Sequence, residues 1–232
     1  MTKSVLITGA SRGLGECLVE RFAAEGWLVF AGQRGLAGSS APVRDASDRL
    51  TLVGLDVSDQ ASVARAAKLV SERARGLDVL INNAAVNPQP EYEALLGELD
   101  FEAMALTYDV NALGPLRVVQ TFLPLLERGA RKLIVNVSSE AGSLQRSWRD
   151  RSYGYCMSKA ALNMQTTILQ RALAPRGISA LALHPGWMRT EMGGPNATLD
   201  PAESARGMYG VIAGASAATP PFVQHDGQAF PW

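Results

Sequence analysis

One stretch constrains the fold more than any other: Val5-Leu6-Ile7-Thr8-Gly9-Ala10-Ser11-Arg12-Gly13-Leu14-Gly15. An aliphatic run ends at Thr8, and Gly9, Gly13 and Gly15 follow. Leu14, Leu18 and Phe22 then recur at i, i+4 and i+8, with Val19 and Ala23 beside them, until Gly26 stops the pattern. A strand that turns directly into an amphipathic helix and leads to a second apolar run at residues 28–31 is one βαβ unit, which requires a parallel sheet. Glycines in that turn permit a tight bend, let the backbone approach a diphosphate and allow close helix-to-strand packing. The free N–H groups and dipole at the helix start favour an anion there.

The alternation continues. Apolar runs at residues 5–8, 28–31, 51–55, 79–81, 132–137 and 178–183 predict strands separated by stretches of helical period. Ser58 or Asp59 is placed to cap a helix whose Val63, Ala66, Ala67, Val70 and Ala74 form an apolar face before Gly76. Asp200-Pro201 with Glu203 opens another, as a D-x-x-E variant of the capping box. Residues 35–48 and 143–152 read as loops, and 219–232, with three prolines, as irregular apart from a short edge strand. The expected fold is α/β: a single-domain, doubly wound, mostly parallel sheet of about seven strands with helices on both faces. One domain is expected to span residues 1–232.

With 232 residues, 47% of them hydrophobic, the chain can bury such a core without a second module. Its 22 basic side chains balance 22 acidic ones, so no net field would hold a nucleic acid or an anionic membrane surface, and neither is expected as a partner. No apolar run reaches the roughly 18 residues of a membrane span, and no leader-like segment follows Met1, so a cytoplasmic location is expected. Cys17 and Cys156 stand apart, without CxxC or Cys/His spacing, and no metal is expected.

The glycine spacing is G-x-x-x-G-x-G, preceded by Thr8. Asn82-Asn83-Ala84 follows the fourth run, Asn111 lies in the next helix, Ser139 ends the fifth run, Tyr155-x-x-x-Lys159 opens the following helix, and His184-Pro185-Gly186 with Thr190 follows the sixth. In this order these motifs resemble the short-chain dehydrogenase/reductase family over essentially the whole chain. The resemblance implies a Rossmann fold holding a nicotinamide dinucleotide through Gly9, Ser11, Arg12, Gly13, Leu14, Gly15, Arg34, Asp56, Val57, Asn83, Ala84, Tyr155, Lys159, Pro185, Gly186 and Thr190. It implies Asn111, Ser139, Tyr155 and Lys159 as the catalytic set. An NAD enzyme carries an acidic residue about 20 positions past the glycines. Gln33-Arg34 stands there instead, and with Arg12 offers two guanidinium groups to a 2′-phosphate, so NADP(H) is expected over NAD(H).

Five tyrosines and four lysines would give some Tyr-x-x-x-Lys in roughly 9% of shuffled sequences, so the pair gains its meaning from Ser139 and Asn111. Tyr153, the neighbouring tyrosine, has Met157 at i+4. A free phenol titrates near about 10. An ammonium one helical turn away is expected to lower that value, making Tyr155 the general acid of carbonyl reduction and the base of the reverse reaction. Ser139 would donate to the substrate oxygen, and the resemblance implies that Lys159 also holds the nicotinamide ribose. Pro115 has no N–H for the Asn111 carbonyl, which predicts a kinked helix and an oxygen free to bind water; the resemblance makes that water a proton link to Lys159. His184 has no nucleophile motif beside it and is expected to be structural.

Ala85 stands where the family usually has glycine, and a small backbone shift is expected there. Sixteen positions separate Ser139 from Tyr155, a few more than is common in the family, and the added residues include Arg146, Arg149 and Arg151. They read either as a solvated loop at the substrate rim or as an attractor for an anionic substrate. This spacing, the run 153–163, and His184-Pro185-Gly186-Trp187 through Gly193-Gly194-Pro195 are most similar to the C-factor-like and sniffer-like carbonyl reductases. That implies reduction of small aldehydes, ketones or diones, or oxidation of the alcohols, in an apolar pocket lidded by residues 188–199. The alternative is an NADP(H)-binding signalling or sensor protein with little turnover. Relatives commonly pair through the helices bearing Asn111 and Tyr155, so a homodimer or homotetramer is expected.

Overall fold

The computed structural model describes residues 2–35, 49–88 and 95–232. Strands β1 (Ser4–Thr8), β2 (Leu28–Gln33), β3 (Leu50–Gly54), β4 (Val79–Asn82), β5 (Leu133–Val137), β6 (Ser179–His184) and β7 (Phe222–Gln224) form one sheet in the order β3-β2-β1-β4-β5-β6-β7. All six neighbouring pairs are parallel, where the sequence predicted mostly parallel. The central strands β1, β4 and β5 are buried at every position because both sheet faces are covered. Val5, Ile7, Val79 and Ile81 face α1 (Gly13–Ala24) and α6 (Pro201–Gly214), while Leu6, Leu80 and Ile134 face α2 (Gln60–Arg73), α4 (Gly114–Arg128) and α5 (Tyr153–Leu173). All seven residues are fully buried, each worth about 1.5–3 kcal/mol relative to exposure.

Asp59, rather than Ser58, caps α2: its carboxylate accepts from the Ala61 N–H at 2.9 Å. The helix ends at Arg73, short of Gly76. Gly76 serves a close approach, since a Cβ there would lie 2.5 Å from the Arg128 carbonyl carbon. Asp200 caps α6, with Pro201 as its first residue. Of the expected loop 35–48, residues 36–48 lie outside the described residues.

The kink expected at Pro115 takes another form. Helix α3 (Phe101–Tyr108) passes into a π-helical turn, Asp109–Leu113, and α4 restarts with Pro115 in its first turn. The wider turn absorbs the missing proline N–H, with Gly114 N–H donating to the Asp109 carbonyl five residues back.

Candidate active site

Strand order reverses between β1 and β4, the point at which a parallel α/β sheet presents its ligand crevice. Gly9 and Gly13 adopt φ of +65° and +57°, which other residues reach only under strain. A Cβ on Gly9 would lie 2.7 Å from the Ala84 Cα, and one on Gly15 would lie 2.1 Å from the Gly9 carbonyl oxygen. The turn is drawn onto β4 by Asn83, whose Nδ2 donates to the carbonyls of Thr8 and Gly9 at 2.9 and 3.1 Å. The Thr8 hydroxyl accepts from the N–H groups of Asn83 and Ala84, both at 3.0 Å. Arg12 occupies the N-cap of α1 without a side-chain cap bond, unlike the aspartates heading α2, α3 and α6, so the start of α1 has no capping side chain on its first N–H groups. That arrangement fits a diphosphate. Leu14 is buried in the core and contributes only main chain to such a site, whereas Ser11 is exposed.

At the far end of the crevice, Asp56 accepts from the Ser58 N–H at 2.9 Å and the Ser58 hydroxyl at 2.6 Å. Burial alone would push this carboxyl up, but the Ser58 bonds and the charge of Arg34 outweigh it and hold the group below its ordinary value. Arg34, just past the end of β2, therefore acts on Asp56 across the same end of the sheet. The Val57 side chain packs against Gly114, leaving only its main chain for a ligand. Arg12 is paired with Glu191 at 2.6 Å, with both side chains more than two-thirds exposed. Thr190 lies beside Gly13, and its hydroxyl accepts from the Gly193 N–H at 3.1 Å. Pro185 and Gly186, the latter at φ +84°, carry the chain out of β6, and the Pro185 carbonyl accepts from the Ser204 hydroxyl at 2.7 Å.

The third cluster joins β5 to α5. Ser139 follows β5 and caps the 3₁₀ turn Glu140–Gly142, with its hydroxyl accepting from the Ala141 N–H at 3.1 Å. The Tyr155 hydroxyl lies inside, hydrogen-bonded to Ser139, although the ring keeps part of its surface exposed. Lys159, on the same helical face, is 3% exposed; its Nζ donates to the Val137 carbonyl at 2.8 Å and lies 5.7 Å from the Tyr155 ring centroid. Asn111, fully buried, accepts from the Val86 N–H at 2.8 Å and donates to the Val86 carbonyl at 2.9 Å and the Ser158 hydroxyl at 3.1 Å. Ser158 in turn donates to the Tyr155 carbonyl at 2.8 Å. The four residues expected to act together thus converge at the carboxyl end of β5.

Their electrostatics depart from expectation. Burial pushes the Tyr155 phenol up, with the Ser139 bond and the charge of Arg149 working against it, and the expected lowering by Lys159 is not seen. Burial also pulls Lys159 down to about 8, so it still carries its charge at neutral pH, with Nζ donating to the Val137 carbonyl. Ala85 needs no glycine, because Lys132 and Ser152 are the non-glycine residues with positive φ among those described. His184 is buried and tilted against Phe230 with ring centroids 5.3 Å apart, as a structural imidazole would be, though its Nδ1 finds no partner. Burial, chiefly, pulls it down to about 4.

The family model for short chain dehydrogenases matches residues 3–199. The chain belongs to the short-chain dehydrogenase family. Among its curated relatives is the C-signal protein of Myxococcus xanthus, 44% identical over 157 residues, covering 67% of this chain and 93% of that protein. The carbonyl reductase Sniffer of D. melanogaster superposes with a TM-score of 0.92 at 28% identity, covering 100% of both chains. The NADPH-bound carbonyl reductase from chicken fatty liver superposes with a TM-score of 0.86 at 32% identity, covering 100% of this chain and 99% of that one.

Short-chain dehydrogenase motifs alone did not reveal the polar supports of this site. Asn82 Nδ2 donates to Asn136 Oδ1 at 2.8 Å and Asn136 Nδ2 to Thr166 at 2.8 Å, bracing β4, β5 and α5 from within. Asn163 accepts from Ser138 at 2.5 Å and donates to the Gly142 carbonyl at 3.0 Å, fixing the Ser139 turn on α5. A polar residue inside an otherwise apolar strand, as Asn136 is, was the available signal.

Proposed function

We propose that this protein is an NADPH-dependent carbonyl reductase acting on a small aldehyde, ketone or dione, running as an alcohol dehydrogenase in reverse. The observation that carries the reading is the Tyr155 hydroxyl held on Ser139, with Lys159 buried on the same helix face. The nicotinamide, when bound, supplies or receives the hydride. Tyr155 acts as the general acid that donates to the carbonyl oxygen as it gains charge, and the buried ammonium of Lys159 on the same helix face favours the phenolate left behind. Ser139 offers that oxygen a second hydrogen bond. Lys159 and Asn111, joined to α5 through Ser158, hold the helix face and carry the proton link inward. The glycine turn, Asn83, Ala84, Pro185, Gly186 and Thr190 line the dinucleotide side, with Arg12 and Arg34 favouring NADP(H) over NAD(H). The solved carbonyl reductase with NADPH bound supports this cofactor.

One domain over residues 1–232, a cytoplasmic setting and self-association belong to the same reading. Among the described residues no helix is long and apolar enough to cross a membrane. Leu106, Leu113, Leu116, Met157, Met164 and Ile168 are exposed on the α3–α4 and α5 surface, where a second copy would pack.

A second reading, an NADP(H)-binding signalling protein with little turnover, is favoured by the identity with C-signal. A spectrophotometric screen of aldehydes, ketones, quinones and diones with NADPH and with NADH separates the two. Turnover with NADPH, at least about tenfold above NADH, is expected. Tight NADPH binding without turnover across the panel would overturn the reductase reading in favour of the second.

A further inference from the structure

We propose that Asn163 is a positioning residue for Ser139: a single amide on α5 holds the turn bearing that serine at both ends and so sets its hydroxyl against Tyr155. This deepens the reductase reading and rests on it. Tyr155, Lys159 and Asn163 stand at i, i+4 and i+8, so one face of α5 carries all three. Asn163 Oδ1 accepts from the Ser138 hydroxyl at 2.5 Å, and Nδ2 donates to the Gly142 carbonyl at 3.0 Å. Ser138 precedes Ser139, and Gly142 closes the 3₁₀ turn that Ser139 caps. The amide therefore grips the chain on either side of Ser139.

The surroundings make that grip rigid. Asn163 and Ser138 are 4% and 2% exposed, so water does not compete for the bond between them. Gly142 lies so close to α5 that a Cβ there would be 2.6 Å from the Lys159 carbonyl carbon. The Ser138 N–H donates to the Leu183 carbonyl at 2.9 Å, which ties the same residue to β6. Both members of the Ser139–Tyr155 pair are thus referred to one helix, Tyr155 by its own backbone and Ser139 through Asn163. The position demands a donor and an acceptor in one planar group, which an amide offers and an apolar side chain of similar size does not.

The test is a double-mutant cycle on kcat for dione reduction with NADPH, using Asn163→Leu, Ser139→Ala and both together. Asn163→Leu is expected to lower kcat at least about tenfold while NADPH affinity stays within about twofold. In the Ser139→Ala background the same substitution should change kcat by less than about twofold, because the group it positions is gone. Asn163→Asp covers the case in which the leucine variant does not fold. Its protonated acid keeps one donor and one acceptor, and its carboxylate loses the donor for the Gly142 carbonyl. Burial and Glu140, beside Ser139, favour the acid, and Lys159, one turn away, favours the carboxylate. The kcat of this variant relative to wild type should therefore fall as pH rises from about 5 to about 9. An unchanged kcat in Asn163→Leu, an equal loss in both backgrounds, or a pH-independent ratio for Asn163→Asp would overturn the proposal. Deuterium uptake by residues 138–145 needs no turnover and should quicken in Asn163→Leu. Unchanged uptake there overturns the clamp, and quickened uptake upholds it even if the wild-type protein reduces nothing and the reductase reading itself fails.

Discussion

Replacing Lys159 with methionine should make the ligand-free protein more stable while abolishing its turnover. The ammonium is 3% exposed, and burial lowers its pKa from 10.5 to about 8. At about 1.4 kcal/mol per unit, that difference means the charged lysine costs the folded chain about 3 kcal/mol. Below about pH 8 both folded and unfolded chains carry the proton and the full cost is present. Between about 8 and 10.5 the folded chain releases its proton first, so stability rises with pH, and above 10.5 the cost is gone. Methionine fills the same space without charge but leaves the Val137 carbonyl without its donor, a loss of about 1–2 kcal/mol. The net expectation is a gain of roughly 1–2 kcal/mol near pH 7, shrinking to nothing or reversing near pH 10. Urea unfolding of both proteins at the two pH values measures it. A variant less stable at pH 7, by an amount that does not change with pH, would refute the reasoning.

Three further outcomes follow from named contacts. His184, pulled to about 4 mainly by burial, is neutral in the fold, so stability is intact above about 6.5 and lost as pH falls through 4; His184→Gln should flatten the melting temperature over that window. Glu191→Gln should free Arg12 from an exposed pair worth at most about 1 kcal/mol, tightening NADPH binding by up to about fivefold in a fluorescence titration. Gly9→Ala, at φ +65° with its new Cβ 2.7 Å from the Ala84 Cα, should cost about 2 kcal/mol or more in urea unfolding and eliminate dinucleotide binding.

The fold was legible because its signals are local. A glycine turn between an aliphatic run and a 3.6-period stripe specifies βαβ, and aspartates at positions 59 and 200 mark where helices begin. The convergence of Asn111, Ser139, Tyr155 and Lys159 was legible through spacing and family resemblance. What the sequence could not show is how a group's surroundings divide its interactions. Lys159 Nζ bonds to a main-chain carbonyl two residues before Ser139, a matter of tertiary register, and the burial that pushes the Tyr155 phenol up and the Lys159 amine down is likewise set by the tertiary fold. Arg149 reads as one of three loop arginines until Glu140 is seen to hold it. The proline at 115 announced a broken hydrogen-bond ladder, but not that a π-helical turn at Asp109–Leu113 would take it up instead of a kink.

The most direct test of the central claim compares wild-type protein with Tyr155→Phe in dione reduction, following NADPH absorbance, with NADPH affinity measured in parallel. The account predicts unchanged affinity and turnover reduced roughly a hundredfold or more. Turnover by the phenylalanine variant at the wild-type rate would contradict it.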